Sequence, residues 1–180
     1  MREFSLVRHG RTAHNAAHRL LGWTDVALDE VGEAQARALG ACVDIERYDS
    51  VWSSDLTRAT STARIAGWPL SGVDRRLREI DFGELEGSTW DDLDTVLRDA
   101  LVAFDGFVAP GGESVVAFVD RITSFFEERA PGVHMIVTHG GVIRAAMRLC
   151  GESGAFAGHG VVYTVDWDRR STIDVQTPTT

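Results

Sequence analysis

"EFSLVRHGRTAHN" (residues 3–15) decides the fold. Phe4, Leu6 and Val7 form an apolar run too continuous for an edge strand facing water, so residues 3–8 read as a buried strand. Directly after it come Arg8, His9 and Gly10, then Arg11, His14 and Asn15. Such a density of cations and donors has a solvation cost unless an anion sits among them. "VHMIVTHGG" (133–141) repeats the theme, with an apolar strand, then histidine, then glycine.

The segments between these strands alternate in kind. A helix is expected from Asp29, which caps it, with Val31, Ala34, Ala38 and Cys42 on its buried stripe. "YDSVWSS" (48–54) reads as a strand, and Ser54 or Asp55 caps a helix striped by Leu56, Ala59, Ala63 and Ala66. "AGWPLSGV" (66–73) is a turn and a short strand that Pro69 confines to an edge or a strand start. Residues 89–104 read as one helix, 109–113 as a loop, and Ser114 opens a helix with Val115, Val119, Ile122 and Phe126 on one face. Tyr163, Val165 and Trp167 alternate with polar residues in a hairpin turning at Arg169–Arg170. We see no linker or repeat, so residues 1–180 are expected to form one domain. The fold class is α/β: a three-layer sandwich whose mostly parallel sheet carries helices on both faces.

Composition narrows the function. Eighteen basic against 27 acidic residues give a net charge of −9, which argues against nucleic acid or an anionic membrane as the main partner. Any anion site must concentrate arginine against the overall field. The N-terminal apolar run is too short for a signal peptide, no stretch reaches transmembrane length, and Cys42 and Cys150 read as buried thiols of a reducing cytoplasm. The spacing of His14 and His18 would suit zinc on a helix, but no third ligand accompanies them.

In a parallel sheet, ligands bind beyond the carboxyl ends of the strands, which gathers Arg8–His9, Ser53–Ser54 and Thr138–His139 on one rim. Arg58 joins them from the first turn of its helix. Helix-start N–H groups and arginine forks favour a tetrahedral dianion such as phosphate. A neutral imidazole with a fixed tautomer can attack phosphorus, and the leaving alkoxide then needs a proton from a carboxylic acid. "EIDFGELE" (79–86) offers Glu79, Asp81, Glu84 and Glu86 for that role.

"LVRHGRTAHN", "GWTDVALDEVGEAQARALG", "SSDLTRATSTA", "LREIDFGELEG", "PGGES" and "THGGVIR" occur in the order found in the histidine phosphatase superfamily, the phosphoglycerate-mutase-like proteins, which the chain resembles from residue 4 to about 167. The resemblance implies that His9 becomes phosphorylated, that Arg8, Arg58 and His139 form the phosphate pocket, and that Glu79 donates and later accepts the proton. It also implies that Asn15 is a substrate donor, that the backbone around Thr24 and Gly140 contributes, and that neither metal nor cofactor is needed. One departure stands out: Arg11 replaces the glutamate of the common RHGET pattern, which is expected to add positive charge at the pocket mouth. His14, Arg19, Trp23, Arg75 and Trp90 are further candidates at that mouth, Trp23 and Trp90 with lining and packing equally open. His134 and His159 receive no role.

Three functions remain: a cytoplasmic phosphatase acting on a small phosphorylated metabolite, a mutase that holds a second anionic group, and a phosphate-binding module without activity. The stretch between Glu79 and His139 is short, and its cations Arg98, Arg121 and Arg129 read as solvent-facing, which favours hydrolysis. Within the family, the chain looks most like the α-ribazole and broad-specificity phosphatases. A homodimer is compatible with these readings.

Overall fold

The computed structural model describes residues 1–153 and 156–177. Six strands form one mixed sheet: β1 (Arg2–Arg8), β2 (Ser50–Ser53), β3 (Gly72–Val73), β4 (Gly132–Thr138), β5 (Val162–Asp166) and β6 (Ser171–Gln176), in the order β3-β2-β4-β1-β5-β6. The first four in that order run parallel, while β5 and β6 form the antiparallel hairpin expected from the tail. The short, Pro-preceded β3 lies at the edge. Among the described residues the α-helices are α1 (Ala13–Ala16), α2 (Glu30–Cys42), α3 (Thr57–Ile65), α4 (Thr95–Ala103), α5 (Val115–Glu127) and α6 (Gly140–Leu149).

Strand alternation sends β1 side chains to both faces. Phe4 and Leu6 join a core with Ile136, Val165 and Trp167 beneath α5 and α6, while Val7 joins Val51, Met135 and Val137 beneath α2 and α3. The sheet is therefore covered on both sides, which explains the unbroken apolarity of β1 and β4.

Three local expectations need correction. The buried stripe of α2 is Gly32, Ala36 and Leu39, whereas Val31, Ala34 and Cys42 are exposed. Leu39 is the bulkiest apolar side chain on that alanine-rich helix, and burying it turns the face by about one position. Residues 89–104 are not one helix: a Thr89–Asp92 capping box closes a short turn, and Asp94 then caps α4 by accepting from Leu97 N at 2.8 Å. Neither Ser54 nor Asp55 caps α3. Asp25 does so from another loop, accepting from Thr57 N at 2.8 Å, while Asp55 pairs with Arg78. Ser114 caps α5 as expected, and Cys150 is buried. Among the described residues, no helix is long and apolar enough to cross a membrane.

Candidate active site

Strand register assembles the centre. Arg8 at the end of β1 pairs with Thr138 at the end of β4, and His9 N donates to Thr138 O at 2.9 Å. The residues that follow are brought side by side, and the rings of His9 and His139 lie 5.0 Å apart. Gly10 then passes so close to α2 that a Cβ there would lie 2.3 Å from Gly32 O. Its N–H donates to Thr62 Oγ1, which itself donates to Arg58 O, tying the loop to α3.

His9 is buried, and its Nδ1 lies 2.7 Å from Gly10 O. A carbonyl can only accept, so Nδ1 carries the proton and Nε2 keeps its lone pair. Burial, then Arg58 and Arg8, hold the His9 pKa well below the usual imidazole range. The same causes keep buried His139 neutral: burial first, then Arg58. Neither ring nitrogen of His139 has a hydrogen-bond partner among the described residues. Buried polar atoms are normally paired, so orphaned ones mark a place for a polar guest.

Two guanidiniums flank the histidines. Arg58 is fully buried, and its terminal nitrogens donate to Thr24 O at 2.8 Å and Gly22 O at 2.6 Å. Burial lowers its pKa to about 10, opposed by the charge of Glu79. Arg8 donates to Ala157 O at 2.8 Å. The Nε atoms of both arginines lack a partner among the described residues. The loop that holds Arg58 is itself held by Glu86, which accepts from Trp23 N, Thr24 N and Thr24 Oγ1.

Glu79 faces these cations from the loop after β3, its Oε2 accepting from Gly141 N at 3.0 Å and its Oε1 from Ile80 N at 3.0 Å. The other three carboxylates of that stretch do not line the cavity. Glu86 is committed as described, and Asp81 accepts from Gly83 N. Arg121 fixes the Glu79 backbone by donating to Arg76 O, Arg78 O and Glu79 O, and it forms a fork with Glu113.

Arg8, His9, Arg58, Glu79 and Gly140 line one cavity of about 470 Å³, together with Asn15. Asn15 also serves its own chain, because its amide oxygen accepts from Thr12 N and Thr12 Oγ1. Other assignments shift. Thr24 supports Arg58 through its carbonyl and does not line the cavity. Arg11 is absent from the lining and pairs with Asp29 at 2.8 Å, which offsets the charge expected at the mouth. Arg19 and Trp90 line the cavity, while His14, Trp23 and Arg75 do not. Trp23 instead donates to Glu79 O and lies under Arg78 at 4.9 Å. Arg98, Arg121 and Arg129 are not solvent-facing. Arg98 donates to Leu93 O, Arg121 is the clamp just described, and Arg129 packs on Trp52 at 4.3 Å.

Sequence reasoning passed over His159 and Arg144. The Nδ1 of His159 donates to His9 O at 2.6 Å, and its ring lies 5.6 Å from that of His9. "GHG" gave the one available signal, a histidine followed by glycine as at His9 and His139. Arg144 lines the cavity from α6 and donates to Leu101 O and Val102 O. Among the described residues, no group of three or more His, Cys, Asp or Glu side chains is placed to hold a metal ion.

An α/β rim that joins two neutral imidazoles, two arginines and a carboxylate has the chemistry to hold a tetrahedral anion. The chain matches the model of the histidine phosphatase superfamily (branch 1) over residues 4–159 and belongs to that family. It is 34% identical over 157 residues to phosphoglycerate mutase-like protein 4 of Arabidopsis thaliana, covering 79% of this chain and 68% of that one. It is also 34% identical over 163 residues to the glucosyl-3-phosphoglycerate phosphatase of Mycolicibacterium vanbaalenii, covering 81% and 72%. A crystal structure of phosphoglycerate mutase from Thermus thermophilus superposes with a TM-score of 0.87 at 45% identity, over 96% of this chain and 97% of that one. Phosphatases and mutases both stand among the relatives, which makes this chain one of a family of enzymes.

Proposed function

We propose that the protein is a phosphomonoesterase that hydrolyses a small phosphorylated metabolite through a phosphohistidine on His9. The observation that carries this reading is the fixed tautomer: Gly10 O holds the Nδ1 proton of a buried, neutral His9 and leaves Nε2 as the nucleophile. Its lone pair attacks phosphorus as the P–O bond to the leaving group breaks. Arg8 and Arg58 offset the charge on the equatorial oxygens, neutral His139 donates a hydrogen bond to one of them, and positioning and electrostatics supply most of the acceleration. Glu79, as the acid, gives its proton to the departing oxygen and an alcohol leaves. The resulting carboxylate takes a proton from water, which attacks phosphorus and breaks the P–N bond. Inorganic phosphate leaves, and His9 and Glu79 return to their starting states.

Hydrolysis is favoured over phosphoryl transfer between positions of one substrate because the cations beyond the phosphate end are few and already serve backbone carbonyls. Arg19 donates to Gly87 O, and Arg144 to Leu101 O and Val102 O. A mutase has to grip a second anionic group while keeping water out. Rapid-quench experiments with a 32P-labelled ester test the reading: an acid-labile, alkali-stable phosphoenzyme is expected in the wild type and absent in His9→Ala, with turnover down by about 10³-fold or more. Conversion of 3-phosphoglycerate to 2-phosphoglycerate without phosphate release would establish the mutase. Turnover by His9→Ala within about tenfold of wild type would remove the nucleophile assignment.

A further inference from the structure

We infer that the substrate's leaving group is an uncharged ring system seated against an apolar wall, an inference that rests on the phosphomonoesterase reading above. The cavity has two unlike ends. One carries Arg8, His9, Arg58 and Glu79, and the other is built from Leu20, Phe82, Trp90, Leu101, Phe104 and Phe156. A bound phosphoryl group occupies the first end, so the remainder of the substrate must meet the second.

Polar guests find few partners there. The guanidinium carbon of Arg144 lies 4.7 Å from the ring centre of Phe104 and 5.0 Å from that of Phe156, and its two terminal nitrogens donate to the carbonyls of Leu101 and Val102 near the end of α4. A guanidinium held in this way has its terminal donors occupied and sits among aromatic rings, so it extends an aromatic lining more than it offers a charge to grip. The amide oxygen of Asn15 is engaged by Thr12, and Arg19 donates to Gly87 O. A sugar or carboxylate placed against this wall would lose more water contacts than the few remaining donors replace, which is costly. An aromatic ring would lose none and would bury its faces.

Phe104 adds a second sign that this wall is built for a purpose. It ends α4 in the left-handed region (φ 54°), which a non-glycine residue adopts at some energetic cost, and yet it is almost fully buried. Its ring packs edge-on against Phe118 at 6.1 Å, fixing the wall from behind.

The test compares alkyl phosphates, so that leaving-group acidity does not decide the outcome: 2-naphthylmethyl phosphate, ribose 5-phosphate and 3-phosphoglycerate, read as kcat/KM for phosphate release. The expected result is a preference of about tenfold or more for the naphthylmethyl ester over both others. Trp90→Ala is expected to cut that preference by about fivefold or more. Trp90 is half-buried at the rim, and retention of the far-ultraviolet circular dichroism and melting temperature checks that the variant folds. Equal or faster turnover of either hydrophilic ester, or an unchanged preference in a folded Trp90→Ala, would overturn the inference and leave the phosphatase intact. Absence of phosphate release and of a phosphoenzyme with all three esters would instead overturn the phosphomonoesterase reading itself.

Discussion

The backbone N–H of Gly141 donates to Oε2 of Glu79 at 3.0 Å, and a Cβ on Gly141 would lie 2.0 Å from Oε1 of the same carboxylate. The second glycine of "THGG" thus makes room for the proposed acid and orients it. Gly141→Ala is expected to push Glu79 aside and to mimic Glu79→Gln. Both should lower kcat by about 10²-fold for alkyl esters and far less for p-nitrophenyl phosphate, whose leaving group needs no proton. Parallel kcat measurements on the two ester types check this. An equal loss on both would remove Glu79 from proton transfer.

A pH effect follows from the three histidines around the site. His9, His139 and His159 all have folded-state pKa values below the ordinary 6.5, chiefly through burial, with His159 lowered to about 4. Near neutrality the folded and unfolded chains hold the same protons on these groups. As pH falls through 6.5, the unfolded chain takes up protons that the folded one refuses, so stability drops by about 1.4 kcal/mol per pH unit for each such proton. Depressed carboxylates such as Asp55 and Asp74 act only below the ordinary carboxylate range, so the window from pH 6.5 to 5 belongs to the imidazoles. Urea midpoints should fall steadily across that window, and less steeply in His159→Gln. A flat profile would contradict the buried neutral state.

Arg58 depends on a residue that never touches the cavity. Glu86 binds the backbone of Trp23 and Thr24, and the carbonyls of Gly22 and Thr24 hold the guanidinium. Glu86→Gln keeps the shape but weakens the charge-assisted bonds to those N–H groups. Phosphate product inhibition should weaken by about fivefold or more, while the ratio of alkyl to p-nitrophenyl turnover stays as in wild type. A changed ratio with unchanged inhibition would mean that Glu86 acts on the proton donor and not on the phosphate pocket.

How far the sequence reaches is visible in these same residues. The strand ends at His9 and His139 were legible because apolar runs and glycines are local signals, and parallel pairing of buried strands puts their ends together. The α/β class and the tail hairpin follow from periodicity in the same way. The support of Arg58 by Glu86 was not legible, because it joins positions 22–24 to 86 through backbone atoms that carry no residue code. Arg11 misled for a related reason. Its charge is evident in the sequence, but its partner Asp29, already assigned as the cap of α2, is what draws it away from the mouth. The face of α2 was ambiguous because alanines at several registers mark a helical stripe equally well. His159 could not be placed at all, since its contact spans 150 positions to reach His9.

Arg121 gives the last expectation. Spaced along α5 as a surface residue would be, it instead lies half-buried against Phe118 at 4.7 Å and gives its N–H groups to three carbonyls of one loop and to Glu113. Glu113 in turn accepts from Asp81 N, so the pair grips the loop bearing Glu79 on both sides. A lysine has no planar fork and cannot serve all these acceptors. Arg121→Lys is expected to lower kcat on alkyl esters by about tenfold with KM within about twofold, because the loop shifts while the phosphate pocket stays. The melting temperature should fall as well, since a lysine leaves some of these part-buried acceptors without a donor. Rescue of the p-nitrophenyl reaction but not the alkyl reaction would locate the defect at Glu79. A rise in KM without loss of kcat would show that the clamp serves substrate binding instead.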